Sequence, residues 1–165
     1  MRFKWVPEPP ATVEAVIDAQ RAIPLVPASE SDSLRRLVDR TEEIGIDDQD
    51  DAREWLTFLR ALGVVDQTPS GYRRHREEVT GSRLVDRLLD NVYGARELYA
   101  ALEATEEPLS LDDLDRRAAV DLPTWERHHH GTDHKRVRRR RLRRLAEWFV
   151  LCDAAERTAG GYRIT

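Results

Sequence analysis

A stretch of 19 residues occurs twice in this chain, ninety residues apart, and this repeat limits the possible folds more than any other feature. Residues 55–73 align without a gap with residues 145–163. Threonine, glycine, tyrosine and arginine coincide at four positions, and the apolar, acidic and turn positions also agree in kind. An internal repeat of this sort predicts that one structural unit is built twice.

Each copy of the repeat predicts a helix, a short apolar strand, a tight turn and a returning strand. The helix ends at a turn residue, a place where glycine is favoured because it adopts a positive φ at little cost. A hairpin turn follows, and an aromatic ring on the returning strand packs back on the helix. The matching residues are Gly63 and Asp153 at the helix end, residues 68–71 and 158–161 at the turn, and Tyr72 and Tyr162 at the start of the second strand.

A helix followed by a strand, a turn and a strand resembles the closing half of the winged helix-turn-helix family, and the two predicted hairpins would be its wings. The resemblance implies a mainly α fold with short β-hairpins (α+β), built from two winged-helix domains in tandem. It places an N-terminal arm and the first winged-helix domain in residues 1–80, and the second winged-helix domain in residues 81–165. The alternative is two unrelated helix–hairpin units within an α+β fold.

The basic residues of the chain are almost all arginine. Of 27 Lys and Arg residues only Lys4 and Lys135 are lysines, and Asp and Glu are abundant. This usage is similar to that of proteins from GC-rich genomes, such as those of salt-loving archaea, a resemblance in composition that carries no mechanism; the family resemblance is therefore to archaeal, haloarchaeal-like winged-helix proteins.

The segments upstream of each hairpin predict further helices, marked by helical spacing of apolar residues and by residues suited to N-caps. The expected helices are residues 12–22, Leu34 to about Ile44 capped by Ser33, residues 52–62, residues 83–102 with a break at Gly94, and a short helix capped by Ser110 with Asp113 as an acidic capping-box residue. Residues 23–27 are too apolar for a free linker, so we expect them to pack across a domain face or to form part of a partner surface.

Composition and motifs exclude several classes of protein. No apolar run reaches the roughly 18 residues of a membrane span, and the first residues lack the features of a signal peptide. A single cysteine, Cys152, excludes an internal disulfide framework and a Cys-rich zinc site. We therefore predict a cytoplasmic protein that does not contact a membrane.

No motif of catalysis occurs, since the chain lacks a phosphate-binding glycine loop, a nucleophile elbow and a distinctive pair of carboxylates. The histidines at 128–130 and His134 raise the question of a metal site, but residues 131–133 separate them, so a shared helix face is not expected. The sequence predicts no enzymatic activity, no metal and no cofactor.

One basic segment stands out in an otherwise acidic chain. Residues 127–144 hold nine Lys or Arg residues and one Asp, a local balance of +8; because the whole chain carries −4, the remainder carries −12. Thr132 or Asp133 is suited to cap a helix that runs to Cys152. A helical wheel places apolar side chains on one face of this helix and arginines on the other. The apolar face holds Val137, Leu142, Leu145, Trp148, Phe149 and Cys152.

Within a winged helix, this segment takes the place of the recognition helix, the one that enters the major groove of DNA. Arginine suits that role because its guanidinium binds base acceptors or phosphates and stays charged. The predicted DNA-binding residues are Arg136, Arg139, Arg140 and Arg143 on the polar face, Arg144 at its border, and Arg163 just past the second hairpin turn.

Two observations argue against the hypothesis that this chain binds DNA. Arg138 and Arg141 fall on the nominally apolar side of the helix, so we expect them to meet an acidic surface of this chain or of a second copy. The equivalent helix of the first half carries charges that nearly cancel, with an acidic first turn that would repel phosphates. Basic residues 73–76, after the first hairpin turn, would touch only the DNA backbone.

Two functional hypotheses follow. The first is a DNA-binding protein, most simply a transcriptional regulator, that contacts double-stranded DNA mainly through the arginine-rich helix and acts as a homodimer. The second is a tandem winged-helix adaptor that binds a protein partner instead; kleisin-interacting subunits of chromosome condensation complexes are similar in size and in having two winged helices. A plainer interpretation of the arginines is a solvated face held by intramolecular salt bridges.

Overall fold

The fold is that of a computed structural model, which describes residues 2–41, 44–118 and 134–165. In these ranges the chain forms helices and two small antiparallel hairpins, which confirms the predicted mainly α fold with short β-hairpins. The elements are α1 (Val13–Ala22), α2 (Glu30–Arg40), α3 (Gln49–Ala61), β1 (Val65–Thr68), β2 (Gly71–Arg74), α4 (Gly81–Asn91), α5 (Ala95–Glu103), α6 (Leu111–Arg117), α7 (His134–Leu151), β3 (Ala155–Thr158) and β4 (Gly161–Ile164).

The two hairpins, called the first and second wing below, have the same strand register. The outer pairs are Val65 with Arg74 and Ala155 with Ile164, an offset of ninety. A third segment lies beside each wing, where Ala28 exchanges two backbone hydrogen bonds with Tyr72, and Leu109 does so with Tyr162. The first unit therefore consists of α1, α2, α3 and the first wing, and the second of α5, α6, α7 and the second wing, with α4 between them.

Each wing depends on a glycine at the start of its returning strand. Gly71 and Gly161 have φ values of 129° and 131°, a region that other residues rarely adopt. A Cβ atom on Gly71 would lie 2.2 Å from the carbonyl oxygen of Ala28, and one on Gly161 would lie 2.2 Å from that of Leu109. The close approach of the third segment to each wing thus requires glycine.

The predicted helix boundaries are mostly confirmed. Thr12, Asp48 and Ser110 accept hydrogen bonds from the first turns of α1, α3 and α6, and Ser110 forms the expected reciprocal box with Asp113. Gly94, at a φ of 85°, separates α4 from α5. Gly63 and Asp153, expected to end α3 and α7, have φ values of 70° and 59°.

The predicted start of the second helix at Ser33 is wrong. Helix α2 begins after Ser29, whose hydroxyl accepts a hydrogen bond from the backbone N–H of Asp32 at 3.1 Å, and it ends at Arg40 instead of near Ile44. Ser33 lies inside the helix, where its buried hydroxyl donates to the carbonyl oxygen of Ser29 at 2.8 Å. A serine can hydrogen-bond to the backbone both at an N-cap and inside a helix, so the sequence pattern did not distinguish Ser29 from Ser33.

Large aromatic side chains join the two units into one core. Trp148 of α7 is fully buried, with its ring 5.0 Å from that of Phe58 and 6.2 Å from that of Trp55, both on α3. Trp5 contacts Phe58 edge-on at 6.3 Å. The two helices predicted as recognition helices are thus linked through their buried sides.

An N-terminal arm, residues 2–10, packs along the second unit and also contacts α3 of the first. Phe3 forms a parallel bridge with Val92 and accepts a hydrogen bond from the backbone of Tyr93 at 2.9 Å. Val6 is buried, and the carbonyl oxygen of Pro7 accepts a hydrogen bond from the indole N–H of Trp148 at 2.9 Å. The arm therefore places its carbonyl groups and side chains directly against α7.

The apolar segment 23–27 runs beside the first wing. Ile23 is buried, and the carbonyl oxygen of Pro24 accepts a hydrogen bond from the backbone of Arg74 at 2.9 Å. Leu25 and Val26 are 42% and 74% exposed. The segment thus packs on a domain face, as expected, and leaves two apolar side chains in solvent.

Candidate nucleic-acid interface

Helix α7 has a buried face and an exposed cationic face, as its sequence predicts. The buried side chains include the expected Leu142, Leu145, Trp148, Phe149 and Cys152, while Val137 is half-buried. Both residues predicted as N-caps, Thr132 and Asp133, lie outside the described residues. Five cations follow one another along the outer side, and we call them the cationic stripe: Lys135, Arg136, Arg139 and Arg140, which are exposed, and Arg143, which is half-buried.

The cationic stripe borders a shallow groove between α7 and the start of α6. The groove has a volume of about 410 Å³, and its lining consists of the whole stripe and Leu111. Guanidinium groups on a concave surface fit the paired oxygens of phosphates. Lys135 precedes Arg139 by one helical turn, so helical spacing contained a signal for it. Leu111 belongs to another helix, and no local pattern indicated its contact.

Three cations of the stripe have no acidic partner in the described ranges. Lys135, Arg136 and Arg140 make no ion pair with any residue that the structure describes. All three are exposed, so an anion in solution reaches them without displacing another side chain of those ranges.

The remaining predicted cations of α7 face carboxylates of this chain. Arg139 pairs with Asp112 near the start of α6. Arg143 and Arg144 both bind Glu8 of the N-terminal arm, at 2.7 and 2.9 Å. Burial alone would raise the pKa of Glu8, but the hydrogen bonds and charges of Arg143 and Arg144 hold it below its usual range. Glu8 is therefore a charged carboxylate at neutral pH.

Arg163 lies on the second wing, apart from α7. It pairs with Glu156, the residue directly across the hairpin. Its counterpart in the first wing, Arg73, lies 3.9 Å from the carboxylate of Asp66 in the same relation. Each wing thus carries an exposed arginine that is balanced by a neighbouring acid.

The two arginines on the nominally apolar side of α7 support the fold. Arg138 donates to the carboxylate of Asp115 at 2.5 Å and to two backbone carbonyl groups at the end of α6, at 3.0 and 2.8 Å. Arg141 is 5% exposed; its guanidinium donates to the carbonyl oxygens of Lys4 and Tyr93 and lies 5.5 Å from the centre of the Tyr93 ring. The expected acidic surface is confirmed for Arg138, within this chain. The described contacts of Arg141 include two backbone carbonyl groups.

The corresponding face of the first unit is not cationic. At the offset of ninety, Asp50 and Arg53 of α3 take the places of two arginines of the stripe. Arg53 pairs with Asp50 at 3.1 Å and with Glu30 at 3.3 Å. Burial, and then the carboxylate of Asp51, raise the pKa of Glu54, while the charge of Arg144 acts in the opposite direction. An approaching phosphate would meet repulsion at this helix.

Other kinds of site find little support in the described residues. They contain no group of three metal-binding side chains, and the histidines at 128–130 lie outside them. Burial, with a smaller contribution from the charge of Asp153, raises the pKa of Cys152 to about 12, so its thiol stays protonated and unreactive. No helix in the described part is both long and apolar enough to cross a membrane.

Two three-helix units, each closed by a hairpin and a third strand segment, define a tandem winged-helix protein. A family model described as the halobacterial double winged helix domain matches residues 1–165, and the chain belongs to this family. A search of the curated proteins and a search of the solved structures each gave no match. The winged-helix family suggests a DNA-binding or regulatory role, and domains of this class are typically not enzymes.

Proposed function

We propose that this protein binds duplex DNA, most simply as a transcriptional regulator, through the cationic stripe of α7. The observation that carries the proposal is the groove of about 410 Å³ that the five cations of the stripe share with Leu111. This helix holds the place of a recognition helix in the second winged-helix unit, and the first unit offers no comparable charge.

Each predicted residue has a role in this proposal. Arg136 and Arg140 make the first contacts, because no ion pair within the described residues holds them. Arg139 and Arg143 extend the contact along the groove. Arg144 and Arg163 lie at its border and on the second wing, where they would touch neighbouring phosphates.

The test is binding of a short fluorescein-labelled duplex of generic sequence, followed by fluorescence anisotropy at several salt concentrations. The wild type should bind at low salt and weaken steeply as salt rises, because released counterions drive the association. Arg136→Ala combined with Arg140→Ala should weaken binding by about tenfold or more at low salt and reduce the slope of log K against log salt by about two.

A matched control removes the same charge elsewhere. Arg40 on α2 and Arg87 on α4 are exposed and have no ion pair within the described residues. Arg40→Ala combined with Arg87→Ala should change binding far less than the α7 variant. Replacing Arg139 and Arg143 should also largely abolish binding, but that variant removes the partners of Asp112 and Glu8 as well.

A protein-binding adaptor is the second candidate. It is favoured by the exposed Leu25 and Val26, and by the arginines that bind carboxylates of the chain itself. Absence of duplex binding by the wild type at low salt would overturn the DNA proposal and leave this candidate ahead. We also propose that the protein binds DNA as a homodimer, and size-exclusion chromatography with light scattering of the protein–duplex complex tests this stoichiometry.

A further inference from the structure

The carboxylate of Glu8 binds two arginines of the proposed DNA interface. Both oxygens of Glu8 lie 2.7 Å from Nη2 of Arg143, and Oε2 lies 2.9 Å from Nε of Arg144. The side chains of Arg143 and Glu8 are 36% and 56% exposed. The carboxylate therefore sits at the open edge of the stripe and not in the core.

The backbone of the arm is held in place by contacts that do not involve this carboxylate. Phe3 pairs with the chain next to Val92, and the carbonyl oxygen of Val6 accepts a hydrogen bond from Arg144 at 3.1 Å. The carbonyl oxygen of Pro7 accepts a hydrogen bond from Trp148. Removing the charge of Glu8 therefore leaves the arm on α7.

An exposed ion pair of this kind contributes little to folding. It does, however, fill the positions that a phosphate would take, because a carboxylate presents two anionic oxygens to a guanidinium in the same way as a phosphate. The cations of α7 thus differ: Arg136 and Arg140 have no ion pair within the described residues, whereas Arg143 of the stripe and the neighbouring Arg144 share the single negative charge of Glu8.

We propose that Glu8 competes intramolecularly with DNA phosphates for Arg143 and Arg144, so that the N-terminal arm lowers the affinity of the second recognition helix for nucleic acid. The inference rests on the proposed function. It makes the affinity of α7 depend on a residue that the sequence places at the opposite end of the chain, and a partner that moved the Glu8 side chain would strengthen DNA binding.

The test compares the full-length wild type with Glu8→Gln on the same labelled duplex at one low and one moderate salt concentration. Glutamine keeps the size of the side chain and removes its charge. Glu8→Gln should bind about three- to tenfold more tightly and show a steeper salt dependence, because Nη2 of Arg143 and Nε of Arg144 lose their anionic partner and can bind phosphates. Adding Arg143→Ala to Glu8→Gln should remove most of the gain.

The control is Glu14→Gln on α1, an exposed residue without an ion pair in the described ranges, which changes the net charge by the same amount. Its affinity should stay close to that of the wild type. Urea unfolding of Glu8→Gln should match the wild type, which excludes a change in fold as the cause.

The outcomes separate this inference from the proposed function. If the wild type binds and Glu8→Gln binds equally well, competition by Glu8 is overturned and DNA binding stands. If the wild type does not bind duplex at low salt, the proposed function is overturned and this inference with it, even when Glu8→Gln binds. If neither protein binds duplex at low salt, the proposed function fails and this inference fails with it.

Discussion

The largely buried carboxylate of Glu147 on α7 binds two side chains of the second wing. Tyr162 of β4 donates its hydroxyl to Oε1 of Glu147 at 2.7 Å, and Arg157 of β3 pairs with Oε2. In the first unit, Thr57 and Gln67 stand at the positions of Glu147 and Arg157. Two wings with the same backbone are therefore attached to their helices by different chemistry.

Removal of the Tyr162 hydroxyl tests this attachment. Tyr162→Phe leaves an acceptor oxygen of Glu147 without its donor, and we expect the free energy of unfolding to fall by about 1.5–3 kcal/mol at neutral pH. Urea unfolding followed by circular dichroism measures the difference. Tyr72→Phe removes the same atom from the first wing, where no glutamate stands at the matching position. An equal loss of unfolding free energy in the two variants would contradict the proposal that Glu147 stabilises the second wing through Tyr162.

The same residue predicts how stability changes in alkali. Burial, and then the hydrogen bond to Glu147, raise the pKa of Tyr162 from 10.0 to about 12. Because the folded state holds the phenol proton more tightly, this contribution to stability is complete below about pH 10 and is lost as pH rises toward 12. In urea unfolding at about pH 9 and about pH 11, the wild type should lose more stability than Tyr162→Phe. An equal loss would show that Tyr162 does not titrate in this way.

At the scale of elements, the wings are the part that the sequence predicts best. Their turns, glycines and tyrosines are local signals, and the repeat doubles each of them. The cationic face of α7 was also predictable, because helical spacing determines which residues share a side. The partners of those arginines were not, since Glu8 and Asp112 reach them from other elements and no local pattern carries that information. The start of α2 was missed because Ser29 and Ser33 are both capable of capping.

A substitution at the second wing measures how strictly its geometry requires glycine. Gly161→Ala places a Cβ atom 2.2 Å from a backbone carbonyl oxygen, at a φ that also strains alanine. We expect a loss of at least about 2 kcal/mol in the free energy of unfolding. Gly160→Ala is the matched control, because its Cβ would have an ordinary contact at 3.5 Å with Pro108. It should change stability by less than about 1 kcal/mol, and a similar loss in both variants would contradict the close approach of Leu109.

For the whole molecule, Trp148 is the residue that makes two repeats into one folding unit. Its ring packs on Phe58 and Trp55 of the first unit, and its N–H binds the arm. The repeat in the sequence predicted two domains but not this joint, because Trp148 and Phe58 occupy equivalent positions in the two copies and packing between copies leaves no periodic signal.

This joint predicts cooperative unfolding. The wild type should unfold in urea in one transition that coincides by tryptophan fluorescence and circular dichroism. Trp148→Ala should lower the free energy of unfolding by about 3–5 kcal/mol, because it leaves a large cavity between the units. Trp148→Phe keeps one aromatic ring but loses the bond to Pro7 and part of the indole volume, so its loss of unfolding free energy should be smaller than that of Trp148→Ala. Two well-separated transitions in the wild type would show that the units fold independently.

Because α3 and α7 carry different charges, the two winged-helix units are not equivalent in how they would meet DNA. A dimer of identical winged helices is symmetric and looks the same from both ends of a palindromic site. Two winged-helix units joined in one chain, of which only the second carries the cationic stripe, have no such symmetry. Bound to a duplex through α7, a single copy would present its first unit on one side only, whereas the proposed homodimer would restore two-fold symmetry.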